Sequence, residues 1–193
     1  MDGSSAFRRA VHILSPAFLV YYLIPESLPG GITRTAVTLL FLGTAGCIEV
    51  ARMALGIQLL GMRPYEGQRV SAYAQGALGL AVGLFLIGDP NIVVPVFLGM
   101  AWIDPLAAYV RKRKGPRAIV VASYFGLFLA AEFALNGIPS WSVRFLYALL
   151  ATAAAILVEG PKHPQADDDL LMQVVPMAVL ALVSAVIRSG VSL

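Results

Sequence analysis

Seven apolar runs divide the chain, each near the roughly 20 residues that carry a helix across a bilayer. They cover about Ala10 to Ile24, Thr35 to Val50, Val70 to Ile87, Ile92 to Val110, Ala118 to Leu135, Phe145 to Val158 and Leu170 to Ile187. Turn residues punctuate them at Pro25 to Gly31, at Gly88-Asp89-Pro90 and at Asn136-Gly137-Ile138-Pro139-Ser140. Several runs are short, so they should tilt little or borrow loop residues. The stretch from Met53 to Arg69 is too short and too polar at its end to cross, and is expected to lie at the interface or to re-enter. The expected fold is an all-α, polytopic transmembrane bundle of about seven spans, a single integral membrane domain over residues 1–193.

Composition decides the class. The chain is 59% hydrophobic and 13% charged, against about 25% charged residues in soluble proteins. One cysteine, Cys47, excludes a disulfide framework and a cysteine-based metal site. The net charge of +3 is concentrated in a few loops, which points to topology and away from nucleic acid. No small-residue cleavage site follows the first run, so it reads as a retained span. With the N-terminus inside, Arg8, Arg9, Arg52, Arg63, Arg69, Arg111, Lys112, Arg113, Lys114, Arg117 and Lys162 face the cytoplasm, and only Arg34, Arg144 and Arg188 lie opposite. That bias predicts a cytoplasmic N-terminus.

Asp104 stands inside the fourth run, where a carboxylate costs roughly 2.5–3.5 kcal/mol on insertion scales and persists only with a partner, water or an ion. Seven residues later, about 10 Å along a helix, begins the basic loop Arg111, Lys112, Arg113, Lys114 and Arg117. In the seven-span topology Glu49, Glu66, Glu159 and Asp167-Asp168-Asp169 gather at the same face, with His12. Carboxylates that can hold a divalent ion, beside cations that offset phosphate charge, are what nucleotide phosphotransfer needs. Each feature also has a plainer reading. The basic loop serves as a topogenic stop, the Asp run as a helix start, and Glu49 with Arg52 as an i,i+3 ion pair. Glu132 reads as structural, paired with Arg144.

The residues carry a resemblance as well. Arg8-Arg9-Ala10-Val11-His12 resembles the basic-basic-x-x-His opening of the dolichol kinase family, which includes polyprenol, phytol and CTP-dependent diacylglycerol kinases. Glu49-Val50-Ala51-Arg52 is similar to its Glu-x-x-Arg, and Arg63-Pro64-Tyr65-Glu66 to its Arg-x-x-Glu. Ile103-Asp104-Pro105-Leu106-Ala107 resembles its Gly-Asp-x-x-Ala, and Val158-Glu159 with Asp167-Asp168-Asp169-Leu170 its close. Ala122-Ser123-Tyr124-Phe125-Gly126 holds the place of Lys-Ser-x-x-Gly with alanine for the lysine, and Asp169 stands where the family has asparagine.

The resemblance implies a kinase that transfers the γ-phosphoryl of CTP to a polyprenol or related long-chain lipid alcohol, with Mg²⁺. Asp104, Glu159 and Asp169 would hold the ion. Arg111, Lys112, Lys114, Gly115, Arg117, Ser123 and Gly126 would receive the nucleotide. Asp168 or His12 would accept the alcohol proton, and Arg9, Glu49, Arg52, Arg63 and Glu66 would support the site. Two alternatives stand beside it: a CDP-lipid synthase of the phosphatidate cytidylyltransferase type, and a non-catalytic lipid-binding protein on the same fold. The expected location is a prokaryotic cytoplasmic membrane, active face inward, with membrane lipids as partners. Gly76, Gly79 and Gly83 admit close helix approach, within one chain or between copies of a homo-oligomer.

Overall fold

The computed structural model describes residues 3–138, 140–159 and 166–190; Pro139 and Lys162, used above for a turn and for the charge bias, lie outside them. Among the described residues the fold is all-helical, with no strand beyond an isolated bridge between Ser27 and Thr33. The helices are α1 (Gly3–Leu14), α2 (Arg34–Leu55), α3 (Ala72–Ala81), α4 (Pro90–Lys112), α5 (Arg117–Leu135), α6 (Trp141–Val158) and α7 (Asp168–Arg188). Five of them, α2 and α4 to α7, are long and apolar enough to cross a membrane.

The first and third expected runs are built differently. Pro16 has no N–H to offer the His12 carbonyl four residues back, and the Ser15 hydroxyl takes that carbonyl instead at 2.8 Å. α1 therefore stops at Leu14, and a 3-10 segment, Ser15–Tyr22, continues the chain. α3 passes into a π-helical segment, Val82–Ile87, which ends at Gly88 with φ +70°. The continuous apolar helix Ala72–Ile87 is shorter than the five long ones.

The chain forms two compact units, Met1–Leu78 and Gly79–Leu193. In the first, Thr33 caps α2 by accepting from the Ala36 N–H at 3.1 Å, and Gly56 closes it with φ +65°. The unit is held at the end of α2 by a buried polar network. The Arg52 guanidinium donates to both Glu49 oxygens at 3.0 and 2.7 Å and to the Arg69 carbonyl at 2.7 Å. Ser71 donates to the same carboxylate from N–H and hydroxyl at 2.7 and 2.9 Å. Glu66, fully buried, accepts from Arg8 at 2.7 Å. Breaking a pair of this kind costs about 3–5 kcal/mol, because it strands a buried charge.

The second unit is a four-helix bundle. α4 packs along α5 and α6 along α7, and the contacts of α4 with α7 and of α5 with α6 close the ring. The inward residues of α4, Val93, Val96, Met100, Ile103, Ala107 and Val110, alternate spacings of three and four, the seam that antiparallel bundles bury. Tyr124 and Phe128 face them from α5, and Met172, Met177 and Leu180 from α7, all fully or almost fully buried. At Gly99 a Cβ would stand 2.6 Å from the Tyr124 ring, so only glycine admits that ring against α4. Leu149, Leu157 and Leu182 face outward, as a bilayer would accept.

Candidate functional site

One end of the bundle gathers the C-termini of α4 and α6 with the N-termini of α5 and α7. Asp167 caps α7 by accepting from the Asp169 N–H at 3.5 Å, which fixes the acidic run on the first turn. Asp169 is buried at 8% exposure, and Asp168 is half-buried. Asp104, half-buried on α4, and Asp169 bring carboxylate oxygens within 4.8 Å of one another. Oxygen ligands stand about 2.0–2.6 Å from Mg²⁺ or Ca²⁺, so this separation is one that a single hard cation bridges. Pro105 adds to the local polarity, since it cannot donate to the carbonyl of buried Ala101.

One turn beyond Asp104, Ala107 lines a cavity of about 210 Å³. Val110 and Val120 complete its apolar wall, and Arg111, Lys114, Gly115, Arg117 and Glu159 supply its polar rim. The turn that builds the rim is a helix stop closed by two bonds. The Lys114 N–H donates to the Arg111 carbonyl at 3.1 Å and the Gly115 N–H to the Val110 carbonyl at 2.9 Å. This Schellman geometry needs a left-handed residue at the first position past the cap, where glycine is usual. Here the position is Lys114, with φ +52°, and a side chain there costs about 1–2 kcal/mol. Strain of that kind recurs where a side chain is needed for function.

The charges on the rim do not balance. Glu159, whose side chain is 8% exposed, is ion-paired with Arg111. The side chains of Lys114 and Arg117 have no hydrogen-bond or ion-pair partner among the described residues. Three cations face one acid, which suits a multiply charged anion. The volume is below the roughly 300–1,000 Å³ of pockets for drug-sized ligands, so it suits the phosphate part of a nucleotide better than a whole one.

No family model, curated protein or solved structure matches the chain. The site therefore stands on its own geometry.

That geometry gathers some of the residues expected from the sequence and separates others. Asp104 and Asp169 bring oxygens within 4.8 Å of one another, while Glu159 lies on Arg111. Arg111, Lys114, Gly115 and Arg117 meet at one cavity, whereas Lys112 is exposed and does not line it. The Gly115 amide is committed to the helix stop. Ser123, half-buried, and Gly126, exposed, lie further along α5, away from the cavity lining. In the first unit, Glu49, Arg52 and Glu66 meet in the buried network. Arg63 is exposed and bonds the Tyr65 hydroxyl, and Arg9 and His12 lie on α1, exposed and half-buried.

The sequence reading gave Ala107, Val110 and Val120 no part in lining a cavity. Their signal was the inward seam of α4 carried to its last turn, and a valine one turn into α5. Tyr124, one turn below Val120, is fully buried and its hydroxyl has no hydrogen-bond partner among the described residues. Gly99 was the signal that would have placed it.

Proposed function

We propose that the protein is a membrane-embedded phosphotransferase that moves the γ-phosphoryl group of a nucleoside triphosphate, CTP by resemblance, to the hydroxyl of a polyprenol or similar long-chain lipid alcohol. The observation that carries this is the pairing, at one end of one bundle, of the Asp104–Asp169 carboxylates with a cavity bearing two cations whose side chains have no partner among the described residues. In this reading the chain has seven spans, with α1 and α3 extended by their 3-10 and π segments. The N-terminus and the basic α4–α5 turn lie in the cytoplasm.

Asp104 and Asp169 would hold Mg²⁺, whose chemistry is to bridge phosphate oxygens and offset their charge. Lys114 and Arg117 bind and orient the β- and γ-phosphates. The alcohol oxygen attacks the γ-phosphorus, the bond to the β-phosphate oxygen breaks, and the nucleoside diphosphate leaves. The alcohol proton passes to a carboxylate, Asp168 being the candidate beside the pair, once it comes within hydrogen-bond reach of the acceptor.

Label transfer from CTP to a panel of lipid alcohols and phosphatidic acid, with purified protein and Mg²⁺, tests this. Label arriving from the γ position alone is the expected result. Label arriving from the α position replaces the kinase with CDP-lipid synthesis, and no transfer with no CTP binding leaves a lipid-binding scaffold.

A further inference from the structure

Glu159 is a buried carboxylate at the end of α6, and Arg111, at the end of α4, is its one partner among the described residues. The Arg111 guanidinium in turn has no other partner among them, and half the side chain is open to solvent at the cavity mouth. The two neighbouring rim cations have no side-chain partner among the described residues, so an arriving anion meets Lys114 and Arg117 first. To engage Arg111 as well it must draw that guanidinium off Glu159. Left alone, the buried carboxylate would have lost its compensating charge, which is costly. A divalent cation accompanying a polyphosphate removes the obstacle, because carboxylate oxygen is its natural ligand.

We infer that the Arg111–Glu159 ion pair is an exchangeable lock on the cavity, in which a divalent cation takes over Glu159 as the polyphosphate takes over Arg111. This rests on the cavity being a polyphosphate site. Its consequence is thermodynamic coupling. Each ligand tightens the other, by the roughly 5–150-fold typical of linked sites. In the absence of both, the pair keeps the cavity mouth neutral at Arg111.

The test is calorimetric titration of CTP, and separately of inorganic triphosphate, into the full-length protein in nanodiscs, with and without Mg²⁺. Wild type should bind both probes, and each more tightly with Mg²⁺, by about tenfold or more. In Glu159→Gln, which keeps the shape and removes the charge, Arg111 is released. Metal-free triphosphate should then bind several-fold tighter than to wild type, and the Mg²⁺ gain should shrink to the part that Asp104 and Asp169 supply. Arg111→Gln gives the mirror image: Mg²⁺ alone should raise its melting temperature more than that of wild type.

An unchanged Mg²⁺ gain in Glu159→Gln, or weaker metal-free binding, overturns the lock while leaving the polyphosphate site standing. Failure of wild type to bind either probe overturns the site itself, and the lock with it. If Glu159→Gln melts well below wild type, Arg111→Gln decides, and no added Mg²⁺ response there overturns the exchange.

Discussion

The two ends of the α4–α7 bundle use their charged residues in opposite ways. At the far end, Arg144 is buried and satisfied internally, donating to the Asn136 side chain at 2.8 Å and to the Ile138 carbonyl. Arg188 reaches Asp89 at 3.1 Å, and Asp89 caps α4 through the Asn91 N–H. At the near end, two side-chain cations on the cavity rim have no partner among the described residues, and two carboxylates bring oxygens within 4.8 Å of one another. Both ends sit on the same four helices, so the helices alone do not make the difference. It lies in the α4–α5 turn, which places a strained lysine where a glycine would close the helix more cheaply.

The largest expected effect is structural and belongs to the far end. Arg144→Ala leaves the Asn136 oxygen and the Ile138 carbonyl unbonded and removes the cation that acts on buried Glu132. Stability should fall by on the order of 3 kcal/mol, measured by chemical unfolding in detergent, while CTP affinity of the folded fraction stays unchanged. A loss of affinity there would erase the distinction between the ends.

Next comes Asp104→Asn, which should keep the melting temperature within a few degrees and cut phosphoryl transfer by at least the roughly 10–100-fold that even outer-shell partners of a metal cost. Gly99→Ala should destabilise by about 1–3 kcal/mol, since the new methyl overlaps the Tyr124 ring.

Lys114→Gly sharpens the comparison most. The fold should gain about 1 kcal/mol as the left-handed strain is released, while triphosphate affinity falls several-fold. Stability and binding thus move in opposite directions, which a purely structural lysine would not do. The smallest effect is that of Glu132→Gln. Both Glu132 oxygens are buried without a hydrogen-bond partner among the described residues. The neutral side chain should be tolerated or stabilise by up to about 1 kcal/mol, with transfer unaltered.

How much of this could be read in the sequence depends on the residue. The membrane class, the long helices and the basic turn followed from hydropathy, because apolar spans leave the backbone few choices. Asp104 was legible as a candidate for the same reason, since burial there is expensive. The break after Leu14 was written in Ser15-Pro16, yet hydropathy passes over it: the 3-10 continuation stays apolar while losing helical length. The expected Glu132–Arg144 pairing did not form, because Arg144 finds nearer acceptors in the turn after α5. The left-handed Lys114 was hidden by Gly115, which drew attention to itself as the flexible position although it is the next residue along. The proximity of Asp104 and Asp169 depends on bundle closure, which spacing in one chain does not reveal, and the sequence reading grouped them as ion ligands only through the family resemblance.

The most direct measurement is a structure of the protein with CTP and Mn²⁺, located by its anomalous signal. The account predicts one Mn²⁺ between Asp104 and Asp169, with phosphate density over Lys114 and Arg117. Mn²⁺ at Asp89 or Glu132 instead, or phosphate bound away from the α4–α5 turn, would contradict it.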